Sequence, residues 1–331
     1  MKRVLLLFFI FTYGLFASEL KILNWPEYID VKILKEFTAK TGISIKYDIY
    51  KNNEQLISML EGDKSYDIVF PSSSFLHSMI DKKLILKIDD KKLKNYNQID
   101  SFFLNNKELK NHAIPYAWGT TGIIYNKNLI SIDSFSDLWS KKLKNKIFIL
   151  DDKNDMFAIA FNVLGIDINT KDEKEIKKGY KKLMELIPNI KGIFEDSEKL
   201  SIEFQNESIY ASVVYNGDIS DIANKKYKYI HPKEGALLWI DTICVDNDSK
   251  NIDNAYAFID FLISKEKALQ NYEAIGYAIA NKGIDFDKSI YPNKQDKKRL
   301  KSVSIGTSED IYEKYWNMFL KELSNKGVKY E

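Results

Sequence analysis

The apolar residues between Leu20 and Pro71 change their spacing repeatedly, and that alternation decides the fold class. Leu20–Asn24 (LKILN) repeats with period two and predicts a strand. Asp30 offers a helix N-cap, Val31, Leu34 and Phe37 follow at helical spacing, and Gly42 suits the C-cap. Ile43, Ile45, Tyr47 and Ile49 alternate as a second strand. Asn53 is expected to cap a helix through Leu56, Ile57 and Leu60 that stops at Gly62, and Asp67–Phe70 forms a third strand ended by Pro71. Strand–helix–strand–helix–strand in this order calls for parallel strands with helices on both faces of the sheet.

A second cycle follows. His112–Asn126 predicts a crossing pair of strands. Lys146–Leu150 reads as a strand and Asn154–Leu164 as a helix stopped by Gly165. Asp172–Ile187 is a longer helix before Pro188, and Ile209–Val214 is a strand running into a helix from Asn216. Ala236–Val245 is a further apolar strand, with helices from Asn251 and Ser308. No linker or repeat separates the two cycles, so the chain is expected to cross between two lobes more than once. Ligands in such folds sit beyond the carboxyl ends of strands, in a cleft.

Residues 1–17 carry Lys2 and Arg3, a thirteen-residue apolar run from Val4 to Phe16, and Ala17. This is the pattern of a signal peptide cleaved near Ala17, too short to span a bilayer, and it predicts export to the periplasm. Removing Lys2 and Arg3 from the 49 basic residues leaves 47 against 47 acidic ones. A neutral chain lacks the basic footprint of a nucleic-acid or anionic-membrane binder. Cys244 is the only cysteine, so neither an internal disulfide nor a cysteine zinc site is possible.

The strand ends then hold the chemistry. They present Trp25, Glu27 and Tyr28; the serines 72–74 and Phe75; Asp151, Asp152 and Asp155; and Tyr215, Asn216, Gly217 and Asp218. Trp239 and Asp241 lie two apart on one strand and share a face. Lysine is read as absent from these ends. Carboxylates hold ammonium groups, while aromatic faces wall an aliphatic chain and attract cations by ~0.5–2 kcal/mol per contact. An elongated organic cation is the solute this suits. Each feature has a plainer reading too: Trp25 and Trp239 as core aromatics, and Asp151, Asp152 and Asp155 as helix-start residues.

These segments, NWPEY at 24–28, TGISIKYDIYKNNE at 41–54, YDIVFPSSSF at 66–75, IPYAWGTTGIIYN at 114–126, DDKNDMF at 151–157 and PKEGALLWID at 232–241, resemble the periplasmic binding proteins of spermidine/putrescine import systems. The resemblance implies an α/β, two-lobed periplasmic binding protein fold of type II-like organisation with a hinged ligand cleft. Its lobes are expected at 18–117 with 243–285 and at 118–242 with 286–331. It implies aromatic walls from Trp25, Tyr28, Tyr215, Trp239 and Tyr277, and acidic partners from Glu27, Asp152, Asp155 and Asp241. Ser74 and Phe75 stand where spermidine-preferring members have paired tyrosines, and with Ser73 and the Tyr277–Lys282 segment they resemble putrescine-specific members, whereas Trp239 and Asp241 resemble the spermidine-preferring ones. The implied partners are a polyamine and the inner-membrane subunits of an ABC permease, for a monomer without cofactor or metal.

Rival classes are a sensor using the same cleft, the same fold holding another small solute, and an enzyme. His77, His112 and His231 are isolated, and no nucleophile elbow, zinc-protease or phosphate-loop motif occurs. Catalysis is therefore not expected.

Overall fold

A computed structural model describes residues 18–328, apart from 63–64, 107–108, 110, 195, 220–221, 223–225 and 305–307. The signal-peptide expectation for 1–17 lies outside the described residues. The first half begins with β1 (Glu19–Asn24), α1 (Val31–Thr41), β2 (Ser44–Ile49), α2 (Asn53–Leu60), β3 (Ile68–Val69), α3 (Leu76–Asp81) and α4 (Ser101–Leu104). The long β4 (Ile114–Asn126) leads to β5 (Ile147–Ile149), α5 (Lys153–Leu164), α6 (Glu173–Leu186), β6 (Ile190–Ile193), α7 (Ser197–Gln205), β7 (Ala211–Tyr215) and β8 (Tyr227–Ile230). The chain returns through β9 (Leu237–Val245), α8 (Ile252–Leu262), α9 (Lys265–Ile275), β10 (Ala278–Ile279), α10 (Lys294–Lys297) and β11 (Lys301–Ser302), and closes with α11 (Glu309–Asn325).

Local chemistry explains the first elements. The Asp30 side chain accepts from the Lys32 amide at 2.9 Å to start α1, and Gly42 ends it at φ 75°, a left-handed position that glycine adopts without strain. The cap of α2 is Asn52, whose side chain accepts from the Gln55 amide at 2.8 Å; the expected cap, Asn53, is the first helical residue. Its side chain is engaged elsewhere, accepting from the Ser72 amide at 3.0 Å and donating to Ser72 Oγ at 3.2 Å.

The sheet runs β2-β1-β3-β9-β4-β7-β5-β6. β1 pairs in parallel with both β2 and β3, and β5 pairs in parallel with β6 and β7, as the alternating pattern requires. Between these groups β9 pairs antiparallel with β3 on one side and β4 on the other, and β4 continues antiparallel into β7. This is the two-lobed α/β fold expected from the sequence, with β4 and β9 running through its middle.

Two expectations need correction. Residues 114–126 form one continuous buried strand rather than the crossing pair expected over 112–126, and Gly119 within it serves close approach. A Cβ on Gly119 would lie 2.2 Å from the Trp239 ring, its neighbour on β9. After β7 the described residues form a tight helical turn, Gly217–Ile219, where the sequence predicts a helix from Asn216. One core gathers Phe157, Phe161, Tyr312, Trp316 and Phe319, so α11 packs on α5 and α6; Phe157 and Tyr312 meet edge-on at 5.1 Å.

Candidate functional site

A cavity of about 960 Å³ opens between the ends of β1, β3 and β9 and the start of α5 with the end of β7. Ten of the eleven residues named from the sequence line it: Trp25, Tyr28, Ser74, Phe75, Asp152, Asp155, Tyr215, Trp239, Asp241 and Tyr277. Glu27 does not. It sits exposed in a tight turn at φ 52°, and the structure leaves it outside the lining.

Asp241 is the best-defined carboxylate. It is 8% exposed and accepts from Tyr28 Oη and Ser72 Oγ, both at 2.6 Å. Burial pushes its carboxyl up to about 6, against the opposing pull of those two hydrogen bonds. Ser72 is positioned by Asn53, and Tyr28 by a hydrogen bond from Tyr116 Oη to its carbonyl at 2.7 Å. Asp241 is thus fixed by elements that arrive from four separate stretches of chain.

A second acidic pair lies at the start of α5. Asp152 is the N-cap, accepting from the Asp155 amide at 2.9 Å, so the capping role read from the sequence is real. Its other oxygen accepts from Tyr215 Oη at 3.1 Å, which turns it toward the cavity wall as well. Asp155 is buried and accepts from Thr121 Oγ1. Burial, then the charge of Asp152, holds the Asp155 carboxyl well above the usual carboxylate range, with the Thr121 hydrogen bond acting the other way.

The aromatic wall joins the two acidic ends. Trp239 meets Tyr215 at 6.0 Å and Tyr277 at 5.6 Å, both edge-on, and Tyr28 meets Tyr277 at 5.6 Å. The missing side chain of Gly119 gives the Trp239 ring its seat. Gly217 does the same for Tyr277, whose ring a Cβ there would meet at 2.3 Å.

Three participants escaped the site list drawn from the sequence. Asp218 was placed at a strand end but not in the site; it accepts from Tyr277 Oη, and burial, opposed by that bond, raises its carboxyl to about 6. Thr121 gave no signal beyond lying in a glycine-rich strand. Lys153 corrects the reading that strand ends lack lysine: it lines the cavity between Asp152 and Asp155, paired with Glu54, Glu309 and Glu313. Among the described residues no lysine or arginine is paired with Asp152, Asp155 or Asp241. No group of side chains there is arranged to hold a metal ion, and no helix is long and apolar enough to cross a membrane.

A two-lobed fold whose central strands carry a buried acidic and aromatic cavity is that of a solute-binding protein. Residues 32–296 match the family model of the bacterial extracellular solute-binding proteins, and the chain belongs to that family. Among its relatives, the spermidine/putrescine-binding periplasmic protein of Salmonella typhimurium is 32% identical over 311 residues, 88% of this chain and 89% of the relative. Its counterpart in Escherichia coli is 31% identical over 317 residues, 90% of each chain. The putrescine-binding periplasmic protein SpuD of Pseudomonas aeruginosa is 31% identical over 321 residues, 86% and 87% of the two. The crystal structure of a spermidine/putrescine ABC transporter substrate-binding protein from Streptococcus pneumoniae superposes with a TM-score of 0.76 at 30% identity, over 92% of this chain and 99% of the other. The resemblance read from NWPEY, DDKNDMF and their companions is thus to the group these relatives represent.

Proposed function

We propose that this chain captures a polyamine, putrescine or spermidine, outside the cytoplasm and hands it to an ABC permease. One observation carries the reading: Asp241, Asp152 and Asp155 converge on one cavity without a lysine or arginine partner, across a wall of Trp239, Tyr215 and Tyr277. Burying carboxylates without cations is costly, and a ligand with an ammonium at each end offsets that cost at both. The aromatic faces fit the methylene chain and add cation–π attraction. Sugars would leave the acids unpaired, and an amino acid would bring a carboxylate of its own against them.

The proposed ligand-binding residues are Trp25, Tyr28, Ser74, Phe75, Asp152, Asp155, Tyr215, Trp239, Asp241 and Tyr277; Asp218 joins them through Tyr277. The lobes are proposed at 18–117 with 243–285 and 118–242 with 286–331, working as a periplasmic monomer after loss of residues 1–17. No catalytic role is proposed. The names and coverage of the relatives support the solute class and the transport setting.

Thermal unfolding against a panel of solutes tests the reading. A ligand bound only by the native state stabilises by RT ln(1 + [L]/Kd), about 2.7 kcal/mol at a hundredfold excess over Kd. Putrescine or spermidine is expected to raise Tm, and amino acids and sugars to leave it unchanged. No shift with either polyamine at millimolar concentration would falsify the proposal.

A further inference from the structure

We propose that Lys153 furnishes the cavity with a tethered ammonium of its own and thereby sets which polyamine length is preferred; this rests on the polyamine reading. Lys153 opens α5 and lines the cavity, with a side chain only 10% exposed. Its Nζ lies 2.5 Å from Glu54 Oε1, 3.1 Å from Glu313 Oε2 and 3.6 Å from Glu309 Oε1. Glu54 comes from α2 in the first half of the chain, and Glu309 and Glu313 stand one turn apart on α11. Glu54 and Glu313 line the same cavity as Asp155 and Asp241.

A lysine side chain is a primary ammonium on four methylenes, the same chemistry as one end of a diamine. The glutamate cluster is therefore a third acidic position of the cavity, already filled from within the chain. A diamine satisfied by Asp241 and by Asp152 or Asp155 does not compete with it. A triamine extended toward α11 meets the Lys153 charge in place of free carboxylates. Three carboxylates around one ammonium leave two negative charges uncompensated, so losing the lysine leaves Glu54, Glu309 and Glu313 facing one another with no cation between them. An added ligand ammonium is the natural replacement.

The test is calorimetric titration of the protein and its Lys153→Met variant with putrescine and with spermidine at fixed salt. The ratio of the two affinities is expected to move toward spermidine by about tenfold, or ~1.4 kcal/mol, in Lys153→Met. Lys153→Arg, which keeps the cation, is expected to leave the ratio at the parent value. A ratio within about twofold of the parent in folded Lys153→Met overturns the proposal. If that variant does not fold, Lys153→Gln, which retains a donor for the glutamates, carries the same test with the same deciding ratio. A parent that binds neither polyamine overturns both readings, whereas a parent that binds while the ratio stays fixed overturns only this one.

Discussion

Replacing Asp241 by asparagine should move stability and binding in opposite directions. Asparagine matches the shape of the carboxyl and removes its charge, leaving Tyr28 and Ser72 with a neutral partner. In the free protein the buried carboxyl is held at about 6 against an ordinary value of 3.8, a difference worth about 3 kcal/mol. Because the folded value lies above the unfolded one, the cost of keeping Asp241 ionised is full above about pH 6 and vanishes below about pH 4. That difference already nets the two hydrogen bonds against burial, so ~3 kcal/mol is the upper end of the gain. The Asn variant is therefore expected to be about 1–3 kcal/mol more stable than the parent near pH 8, with the gain fading between about pH 6 and 4. Polyamine binding should weaken by ~2–5 kcal/mol, because a ligand ammonium loses its buried partner. Chemical denaturation across pH reads the first effect and calorimetry the second. A variant that binds as tightly as the parent, or is destabilised near pH 8, would show that Asp241 is there for the fold.

Polyamine affinity should fall as pH drops through about 6, where Asp241 and Asp218 take up protons, and binding near that pH should expel them. Titrations in two buffers of different ionisation enthalpy would report this release; identical heats together with a flat affinity would contradict it. Gly119→Ala puts a methyl carbon 2.2 Å from the Trp239 ring, so the ring must move. A stability loss of ~1–3 kcal/mol is expected together with weakened polyamine binding, and unchanged tryptophan fluorescence and affinity would rule the displacement out. Asp30→Ala removes the α1 cap and the bond from Gln270, at a cost of about 1 kcal/mol by denaturation with little change in affinity. An equal drop in affinity would tie that helix to the site.

How much of this was legible in the sequence follows the range of the contacts involved. Asp30 and Gly42 bracket α1 through bonds within a few residues, so the first cycle reads directly. Trp239 and Asp241 read as companions because period two along one strand is a local rule. The segment 112–126 reads as a pair of strands but forms one, because nothing local shows that Gly119 receives the indole of a neighbouring strand until β9 is placed beside β4. Asn52 and Asn53 are equally good caps by composition, and only the distant Ser72 decides which one enters the helix. Glu27 shares its segment with Trp25 and Tyr28, yet a left-handed backbone at that one residue leaves it outside the cavity. The Lys153 cluster draws on α2, α5 and α11 and had no local signature.

The route of β9 also fixes when the molecule becomes competent during its own synthesis. Val69 pairs with Cys244, and Ile68 with Val245, so one edge of the first sheet stays bare until most of the chain has been made. Asp241 arrives on that same strand, four residues after it begins. A nascent chain that has emerged only through β8 therefore has Tyr28 and Ser72 in hand but nothing for them to hold. Contacts of such long sequence separation fold slowly. A chain that stops before β9 therefore lacks Asp241 and keeps the β3 edge of its first sheet unpaired, so recognition and closure of that sheet arrive on the same strand.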